Sequence, residues 1–345
     1  MRITLIDDSV SFDALTAGAQ PLGGAEKAFA RLPGALAARG HQVRVINRCK
    51  YPLPLEGSLW VGWQARRDEP ADVLIAFRKI ELLDAVRGAG RRILWLTAPG
   101  RRLDRADNRK ILETHRPALV FLGPSHRTTW RRPAWAEGFP VAVIPPAVGG
   151  PFLNERSSGP VSPPRAIVTT HPSHGLDRLL DLWTERIHPE VPGAELHIHS
   201  AVLAKGLRGE PVPDGVGPVL AKALAARAAG VSVHSPGNDG DMAAAYRAAR
   251  VHLYPGHPDD MGAWTLAESQ ACGLPAVAQA LGGVPDRVAD GRTGYLVPDA
   301  DAMANVAVLL LKDEALFQSL STEAHAAQRA RSWDAVAAEF EALWT

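Results

Sequence analysis

The stretch His252–Val297, HLYPGHPDDMGAWTLAESQACGLPAVAQALGGVPDRVADGRTGYLV, decides the fold. A buried strand ends at Tyr254, and the polar, glycine-containing loop Pro255–Ala263 leads from it into a helix. Gly273 ends that helix, and Pro275 begins the next strand. A loop that joins a strand to a helix in this way lies at the carboxyl edge of a parallel sheet, where doubly wound folds bind ligands. The stretch therefore predicts a parallel α/β sheet with a ligand site in this loop.

Two acids of this stretch, Asp260 and Glu268, are separated by seven residues, so one lies in the loop and the other on the helix. Free N–H groups and the dipole at a helix start favour a phosphate, while an acid on the helix can accept hydrogen bonds from ribose hydroxyls. Each acid also has a purely structural interpretation. Thr265 and Glu268 have the spacing of a capping box, and Asp260 has the character of a solvated turn residue. Local spacing leaves both interpretations open.

Short apolar runs alternate with helical patterns along the whole chain. In the first half the predicted strands are Ile3–Asp7, Val43–Asn47, Val73–Phe77, Ile93–Thr97, Leu119–Gly123 and Val141–Pro145. In the second half they are Ala166–Thr170, Glu195–His199, Val231–His234, Val251–Tyr254, Ala276–Ala278 and Gly294–Val297. Predicted helices include Ala25–Arg39, Arg127–Ala136, Leu176–Arg186 and Asp241–Arg250. Continuous apolar strands are typical of parallel sheets covered on both faces, so we expect an α/β fold of two facing Rossmann-like, doubly wound domains with a cleft between them.

The segment Pro145–Arg165 interrupts this alternation, because it is crowded with Pro, Gly and Ser. We therefore expect a first domain over residues 1–148, a linker over 149–164 and a second domain over 165–331. The sequence Ser332-Trp333-Asp334 breaks the helical tail before a last helix within residues 332–345.

The bulk composition disfavours several classes of protein. The 345 residues include 38 Lys plus Arg and 37 Asp plus Glu, a formal net charge of +1, which argues against a nucleic-acid partner. Two cysteines imply no disulfide framework, and the apolar runs are too short for a spanning helix. The first residues do not have the pattern of a signal peptide, so a cytoplasmic protein is expected. Arginine pairs in the first half can place it at the inner face of the membrane.

The stretch after Val251 resembles the donor-binding signature of family 4 retaining glycosyltransferases, which have two Rossmann-like domains in the GT-B architecture. That signature is an acid, seven residues, a Glu and a run ending Ala-Cys-Gly-x-Pro-Val, followed by Gly-Gly-x-x-Glu and Asp-Gly-x-x-Gly-x-Leu-Val. The matching positions are Asp260, Glu268, Ala271–Ala276, Gly282–Asp286 and Asp290–Val297. So many matches in register make the resemblance specific, and with weaker matches elsewhere it covers nearly the whole chain.

The resemblance extends to other parts of the chain. Gly23 and Gly24 open the first long helix, where the family brings backbone close to the donor diphosphate, an approach that glycine permits. The second domain opens with His171–Asp177 in the family's manner. The last helix resembles one that crosses back to the first domain in the family. The resemblance implies that the first domain is the acceptor side and that the second holds a nucleotide-sugar donor.

Two positions of the donor side depart from the family's pattern. The first acid is Asp260 rather than Glu, and the glycine of Met261-Gly262-Ala263 stands one place early, so Asp259 can share the role. Where the family has Lys or Arg, this chain has His174, which carries a full positive charge only when it is protonated. Arg178 on the same helix face can compensate, and the alternative for His174 is a solvated loop histidine.

The acceptor side departs as well. A His that many relatives carry after the fourth strand is replaced by Thr97, which can hydrogen-bond but cannot act as a base. Arg101 and Arg102, which follow this strand, can meet an anionic acceptor such as a lipid-linked saccharide. Among the nine tryptophans, Trp60, Trp63 or Trp130 can stack on a sugar ring.

The resemblance implies a retaining, metal-independent transfer of a UDP- or GDP-linked sugar to a saccharide, lipid-linked or small-molecule acceptor, with the leaving phosphate helping to deprotonate the acceptor. The expected catalytic residues are Asp260, Glu268 and His174. The expected donor-binding residues are Gly23, Gly24, Arg178, Ser235, Met261, Gly262, Ala263, Trp264, Thr265 and Glu268. No cofactor is expected, because the nucleotide sugar is a substrate. Asp239-Gly240-Asp241 has the DxD form of metal-dependent enzymes but is better interpreted as a helix cap.

Two functions of other classes remain compatible with the fold. A nucleotide-sugar epimerase shares the two-domain architecture, although the Glu-bearing signature favours transfer. A non-catalytic nucleotide-sugar-binding or scaffold protein would explain His174 and Thr97 together. A Rossmann dehydrogenase is disfavoured, because no G-x-G-x-x-G follows the first strand.

Overall fold

A computed structural model describes residues 1–65, 69–154 and 162–345. Two compact units make up these residues: Met1–Ala147 together with Arg331–Thr345, and Val148–Ala330. Each unit contains one sheet of almost entirely parallel strands. The predicted fold class, α/β with two Rossmann-like domains, is therefore confirmed.

The first unit contains an eight-stranded sheet in the order β3-β4-β2-β1-β5-β6-β7-β8. Its strands are β1 (Arg2–Ile6), β2 (Gln42–Asn47), β3 (Leu53–Leu55), β4 (Ser58–Gly62), β5 (Val73–Phe77), β6 (Arg91–Trp95), β7 (Ala118–Phe121) and β8 (Val141–Val143). All neighbours are parallel except β3, which pairs antiparallel with β4. Every residue of β5 is buried, as expected for a central strand that has helices on both faces.

The β3–β4 hairpin is not predicted from the sequence pattern. Its two-residue turn consists of Glu56 and Gly57, both in left-handed conformations with φ of 50° and 76°. Such a turn matches the right-handed twist of paired strands, but a non-glycine residue in its first position is an uncommon signal.

Four helices of the first unit precede the chain's entry into the second unit. They are α1 (Thr16–Ala19), α2 (Gly24–Ala38), α3 (Ala106–His115) and α4 (Pro124–Thr128). The single helix predicted over Arg127–Ala136 is wrong, because α4 ends at Thr128 and a separate 3-10 turn covers Ala134–Ala136. Pro133 lies between them, and a proline disfavours a continuous helix at this point because its ring clashes with the preceding turn and it lacks an N–H donor.

The second unit contains a six-stranded parallel sheet in the order β11-β10-β9-β12-β13-β14. Its strands are β9 (Arg165–Val168), β10 (Glu195–His199), β11 (Val231–His234), β12 (Val251–Tyr254), β13 (Ala276–Gln279) and β14 (Gly294–Val297). The chain runs outward from β9 to β11 on one side and then from β12 to β14 on the other. The order therefore reverses between β9 and β12, which makes their carboxyl ends the topological switch point.

Helices cover both faces of this sheet. They are α5 (Leu176–Leu182), α6 (His188–Glu190), α7 (Ala201–Leu207), α8 (Val216–Ala225), α9 (Asp239–Arg247), α10 (Trp264–Ala271), α11 (Ala300–Lys312) and α12 (Glu314–Arg329). Asn238 caps α9 in a reciprocal capping box with Asp241, so the interpretation of Asp239-Gly240-Asp241 as part of a helix cap is confirmed. One core cluster contains Leu179 and Leu310 on one face, and another contains Tyr246 and Ala271 on the other.

The chain returns to the first unit in α13 (Trp333–Glu341). Arg39 donates hydrogen bonds to Glu341 at 2.6 and 2.8 Å, and the ring of Phe340 packs edge-on against Trp95 at 5.2 Å. In the segment predicted as a linker, Phe152 is buried within the second unit, whereas residues 155–161 lie outside the described residues.

Two of the tryptophans suggested as sugar-stacking residues are core residues instead. Trp60 is fully buried against Phe12 and Phe29, and Trp130 is buried against Phe121. No helix within the described part of the chain has both the length and the apolar character needed to cross a membrane.

Candidate active site

The site predicted from the loop after β12 lies at the switch point of the second sheet. The loop after β9 meets it there, since a Cβ added to Gly175 would lie 3.0 Å from the Cβ of Pro255. Gly175 has a φ of +84° at the start of α5, so a residue without a side chain is required for both conformation and space. The carboxyl ends of β9 and β12 thus bring two loops together, in the position where doubly wound folds bind ligands.

Helix α10 begins at Trp264, after Ala263 in a left-handed conformation with φ of 41°. Thr265 is therefore the second residue of the helix and not its cap, so the capping-box interpretation of Thr265 and Glu268 is wrong. The Thr265 hydroxyl instead accepts a hydrogen bond from the Thr169 hydroxyl, at 2.8 Å. Glu268 lies one turn further along and is only 8% exposed. Its carboxylate oxygens accept hydrogen bonds, which makes it suited to hold hydroxyl groups of a ligand.

A polar network joins α10 to both strands of the switch point. Thr169, just after β9, lies 3.0 Å from Nε2 of His252, and Nδ1 of His252 lies 2.8 Å from the Ser269 hydroxyl. His252 is fully buried, so both of its ring nitrogens need these partners. The network fixes the first two turns of α10 relative to the sheet.

Asp260 holds the loop in shape. One carboxylate oxygen accepts the Tyr254 hydroxyl, and the other accepts the Ala263 backbone N–H at 3.0 Å. Because the second bond spans the residues just before α10, Asp260 restrains the left-handed turn at Ala263. Its role as a ligand for sugar hydroxyls stays a prediction, and its contacts add a positioning role that sequence spacing does not reveal.

The other expected donor residues of this loop have little exposed side chain. Met261, Gly262 and Ala263 are buried, and Trp264 is half-buried. Arg287, also buried, donates from Nε to the Gly262 carbonyl at 3.1 Å. Arg287 and Asp260 therefore both restrain the loop, and the amides at the start of α10 are the groups suited to contact a phosphate.

His174 and Arg178 line a cavity of about 550 Å³ in the second unit. It lies among the loop before α5, the loop after β12 and the start of α11. Its lining includes Ser173, His174, Arg178, His257 and Asp299. The expected His174 and Arg178 are thus brought together, whereas Glu268 and Thr265 do not line this cavity. Ser235 is exposed after β11, at the same edge of the sheet.

The remaining predicted residues belong to the first unit. Gly23 caps α2, and a Cβ there would lie 2.3 Å from the carboxylate of Glu26, which folds back over the helix start. Thr97 is half-buried just after β6, and Arg101 and Arg102 are exposed in the following 3-10 turn. These positions agree with a loop at the carboxyl edge of the first sheet.

A partly buried ionic cluster lies at the switch point of the first sheet and is not predicted from the sequence. Arg78, with φ of +60°, donates from Nη1 to Glu26 at 2.8 Å and contacts Asp7 at 3.2 Å. Asp7 is completely buried, and this burial raises its pKa, although Arg78 and Ser9 act in the opposite direction. The spacing of Gly23 and Glu26 is that of a helix start with an acid folded back, which is the signal that could have pointed to this cluster.

Burial also lowers the pKa values of three histidines in the second unit. The pKa of His252 is lowered to about 3, and those of His197 and His199 are each lowered to about 4. The rings of His197 and His199 stack on His234 at 4.6 and 5.1 Å. These imidazoles are therefore neutral near pH 7.

We expect acid to destabilise the protein through His252. The unfolded chain binds a proton at His252 with a pKa of roughly 6.5, but the folded chain does not until about 3. Neutral His252 therefore does not lower the stability of the folded protein above pH 6.5. As the pH falls below this value, the free energy of unfolding decreases by up to about 1.4 kcal/mol per pH unit, and by about 2 kcal/mol in total at pH 5. The free energy of unfolding, measured by denaturant unfolding across this pH range, should depend less steeply on pH in His252→Gln than in the wild type. Identical slopes would contradict the burial argument.

Comparisons with known proteins show similarity to glycosyltransferases. Residues 167–313 match the family model described as Glycosyl transferases group 1, a stretch that includes both loops of the switch point. A D-inositol 3-phosphate glycosyltransferase of Xylanimonas cellulosilytica is 42% identical over 110 residues, 31% of this chain and 26% of that protein. One of Actinosynnema mirum is 32% identical over 215 residues, 56% of this chain and 49% of that protein. The matches thus span half or less of these curated relatives.

Solved structures share the fold over the full chain. Sucrose-phosphate synthase from Thermosynechococcus elongatus has a TM-score of 0.78 at 17% identity, covering 100% of this chain and 98% of that chain. Anabaena HepE in complex with UDP and glucose has a TM-score of 0.72 at 15% identity, covering 99% and 98%. The architecture is therefore that of GT-B glycosyltransferases. The resemblance to family 4 glycosyltransferases is confirmed, and the match to the family model lies within the second unit.

Proposed function

We propose that the protein transfers a sugar from a nucleotide-sugar donor, UDP- or GDP-linked, to a saccharide, lipid-linked or small-molecule acceptor, with retention of the anomeric configuration. The observation that carries the proposal is the switch point of the second sheet. There, a loop held by Asp260 presents its amides at the start of α10, and the buried Glu268 follows one turn later.

The parts of the donor are assigned by the chemistry that each group offers. The backbone amides of Trp264 and Thr265 belong to the first turn of α10, where a phosphate is favoured. The side chains of His174 and Arg178 supply further hydrogen-bond donors to the phosphates. Glu268 accepts from the ribose hydroxyls. Asp260 positions the loop, and its remaining lone pairs accept from a hydroxyl of the transferred sugar.

The acceptor is assigned to the first unit. Thr97 offers a hydroxyl, and Arg101 and Arg102 offer positive charge for an anionic acceptor. The names of two relatives, D-inositol 3-phosphate glycosyltransferase and sucrose-phosphate synthase, each include a phosphorylated small molecule, which adds a phosphorylated acceptor to the candidates. The protein would carry out this transfer in the cytoplasm, where arginine pairs can meet anionic lipid.

In the proposed reaction the bond between the anomeric carbon and the diphosphate oxygen breaks, and a bond to the acceptor oxygen forms on the same face. The acceptor proton passes to the leaving phosphate. Amides and cations around that phosphate stabilise the charge that develops on it, which lowers the barrier because the interaction strengthens in the transition state. No metal ion takes part in the proposed reaction.

The proposal is tested by incubating the protein with UDP-glucose, UDP-N-acetylglucosamine or GDP-mannose and a panel of acceptors that includes inositol phosphates and simple sugars. We expect a glycosylated product whose anomeric configuration, determined by NMR, matches the donor, and a rate that EDTA leaves unchanged. An inverted product would reject retention, and inhibition by EDTA that added metal reverses would reject the metal-independent mechanism.

A further inference from the structure

Three histidine rings meet beside the 550 Å³ cavity, where β9 and β12 end. His174 and His257 stack face to face, with ring centroids 4.1 Å apart and an interplanar angle of 16°. His171 lies further away, at 5.4 Å from His174 and tilted by 52°. The two stacked rings come from different loops, so the stack joins the loop before α5 to the loop after β12.

Hydrogen bonds determine where the neutral rings carry their protons. Nδ1 of His257 accepts the Asp259 backbone N–H at 3.1 Å, so the neutral ring has its proton on Nε2. His171 is held in the same way, because its Nδ1 accepts the Ser173 N–H at 3.3 Å. His257 thus offers an Nε2–H donor, and His174 lines the cavity from the neighbouring loop.

The surroundings of the stack lower the pKa of His174. Burial is the main cause that lowers the pKa of His174, and His257 and His171 lower it further, whereas Asp260 and Asp259 act in the opposite direction. Two positive rings at this separation would repel each other, so the stack holds at most one added proton.

The other charges near the pair come from the helices packed beside it. Asp177 and Arg178 belong to the first turn of α5, and Asp299 stands before α11. Asp299 accepts the Ala302 N–H at 2.8 Å, which spreads its charge into the helix start. Arg178 is thus the permanent cation of the cavity wall within the described residues, and the histidines supply the charge that can vary.

We propose that His257 is a second phosphate-binding side chain, and that it acts with His174 as a stacked pair that takes up one proton when a diphosphate binds. The inference rests on the proposed function and deepens it. A diphosphate beside the rings favours the charged imidazolium, and the proton that it draws in supplies the positive charge that a lysine would carry permanently. Donor binding is therefore coupled to proton uptake.

The experiment measures the affinity of UDP-glucose and GDP-mannose by calorimetry between about pH 6 and pH 8, where the diphosphate of these probes keeps a constant charge. We expect the affinity of the nucleotide sugar that binds to rise about fivefold or more as the pH falls, with a limit of tenfold per unit for one proton. Titrations in two buffers of different ionisation enthalpy should show net proton uptake by the complex.

Three variants distinguish the effect of the stacked pair on binding from the effect of neighbouring residues. His174→Lys should bind at the higher pH as well as the wild type binds at the lower pH, with a flat profile. His257→Asn keeps an oxygen that can accept the Asp259 N–H but lacks the Nε2–H donor, so it should bind about tenfold more weakly at every pH while proton uptake at His174 remains. His171→Asn is the matched control, because it changes a neighbouring ring of the same tautomer outside the stack, and it should keep the wild-type slope.

Binding with the same flat profile in the wild type and all three variants would overturn this inference and leave the proposed function intact. A slope lost in His171→Asn would also overturn it, because the proton would then belong to another ring. Unchanged affinity in His257→Asn would overturn it as well, because His257 would then not contact the phosphate. Absence of binding to either probe at any pH, by protein that unfolds cooperatively, would reject the proposed donor site and this inference with it.

Discussion

A Glu268→Gln variant is expected to bind its nucleotide sugar about 10- to 100-fold more weakly than the wild type. The Glu268 side chain is buried on α10, where no bulk water compensates for a lost interaction. Hydrogen bonds from a hydroxyl to a charged carboxylate contribute about 1.5–3 kcal/mol, and glutamine keeps the shape while it removes the charge. Calorimetric titration of the variant with the nucleotide sugar that binds the wild type measures this loss directly.

A second acid of the same unit provides the control. Glu323 is an exposed residue of α12 that pairs with Arg292 at 2.7 Å, and surface pairs of this kind contribute about 0–1 kcal/mol to stability. Glu323→Gln should therefore bind as the wild type does. If Glu268→Gln is folded and binds with unchanged affinity, Glu268 does not contact the donor.

A Gly283→Ala variant is expected to lose nucleotide-sugar binding by more than about tenfold and to be less stable by about 1–3 kcal/mol. A Cβ at this position would lie 2.2 Å from the Met261 carbonyl oxygen, and the Gly283 N–H donates to the Asp260 carbonyl at 2.8 Å. The donor loop must therefore move to admit one methyl group. Because its amides are the proposed phosphate ligands, the displacement should be visible in the affinity as well as in thermal unfolding.

Gly291 supplies the matched control for this substitution. It has a φ of +70°, but a Cβ there would meet nothing within 4 Å. Gly291→Ala should cost about 1–2 kcal/mol through backbone strain alone and leave the affinity unchanged. Equal losses of affinity in both glycine variants would mean that general destabilisation, and not the position of the loop, explains the effect.

Much of the fold follows from short apolar runs, because parallel strands that are covered on both faces consist mostly of apolar residues. Twelve predicted strands overlap observed ones, from β1 at Arg2–Ile6 to β14 at Gly294–Val297. The hairpin of β3 and β4 is missed, since a three-residue strand has little periodicity and its turn starts with Glu56 instead of glycine or asparagine.

The features of the site that could not be predicted depend on contacts between residues that are distant in sequence or brought together by a loop. The stack of His174 and His257 joins residues 83 positions apart, and the tie of Tyr254 to Asp260 depends on how the loop folds back. The capping-box spacing of Thr265 and Glu268 is misleading, because the helix begins at Trp264 and Thr265 bonds to Thr169 instead. Sequence spacing identified the loop, but tertiary contacts decide what each side chain in it touches.

The central claim is that the switch point of the second unit holds a nucleotide sugar. Its most direct test is calorimetric titration of the folded protein with UDP-glucose, GDP-mannose and ADP-glucose, at two pH values and with Glu268→Gln alongside. We predict saturable binding to a single site, selective for one nucleotide and strongly weakened in the variant. No binding of any of the three by the folded protein would contradict the claim, and so would binding that is equally strong in Glu268→Gln.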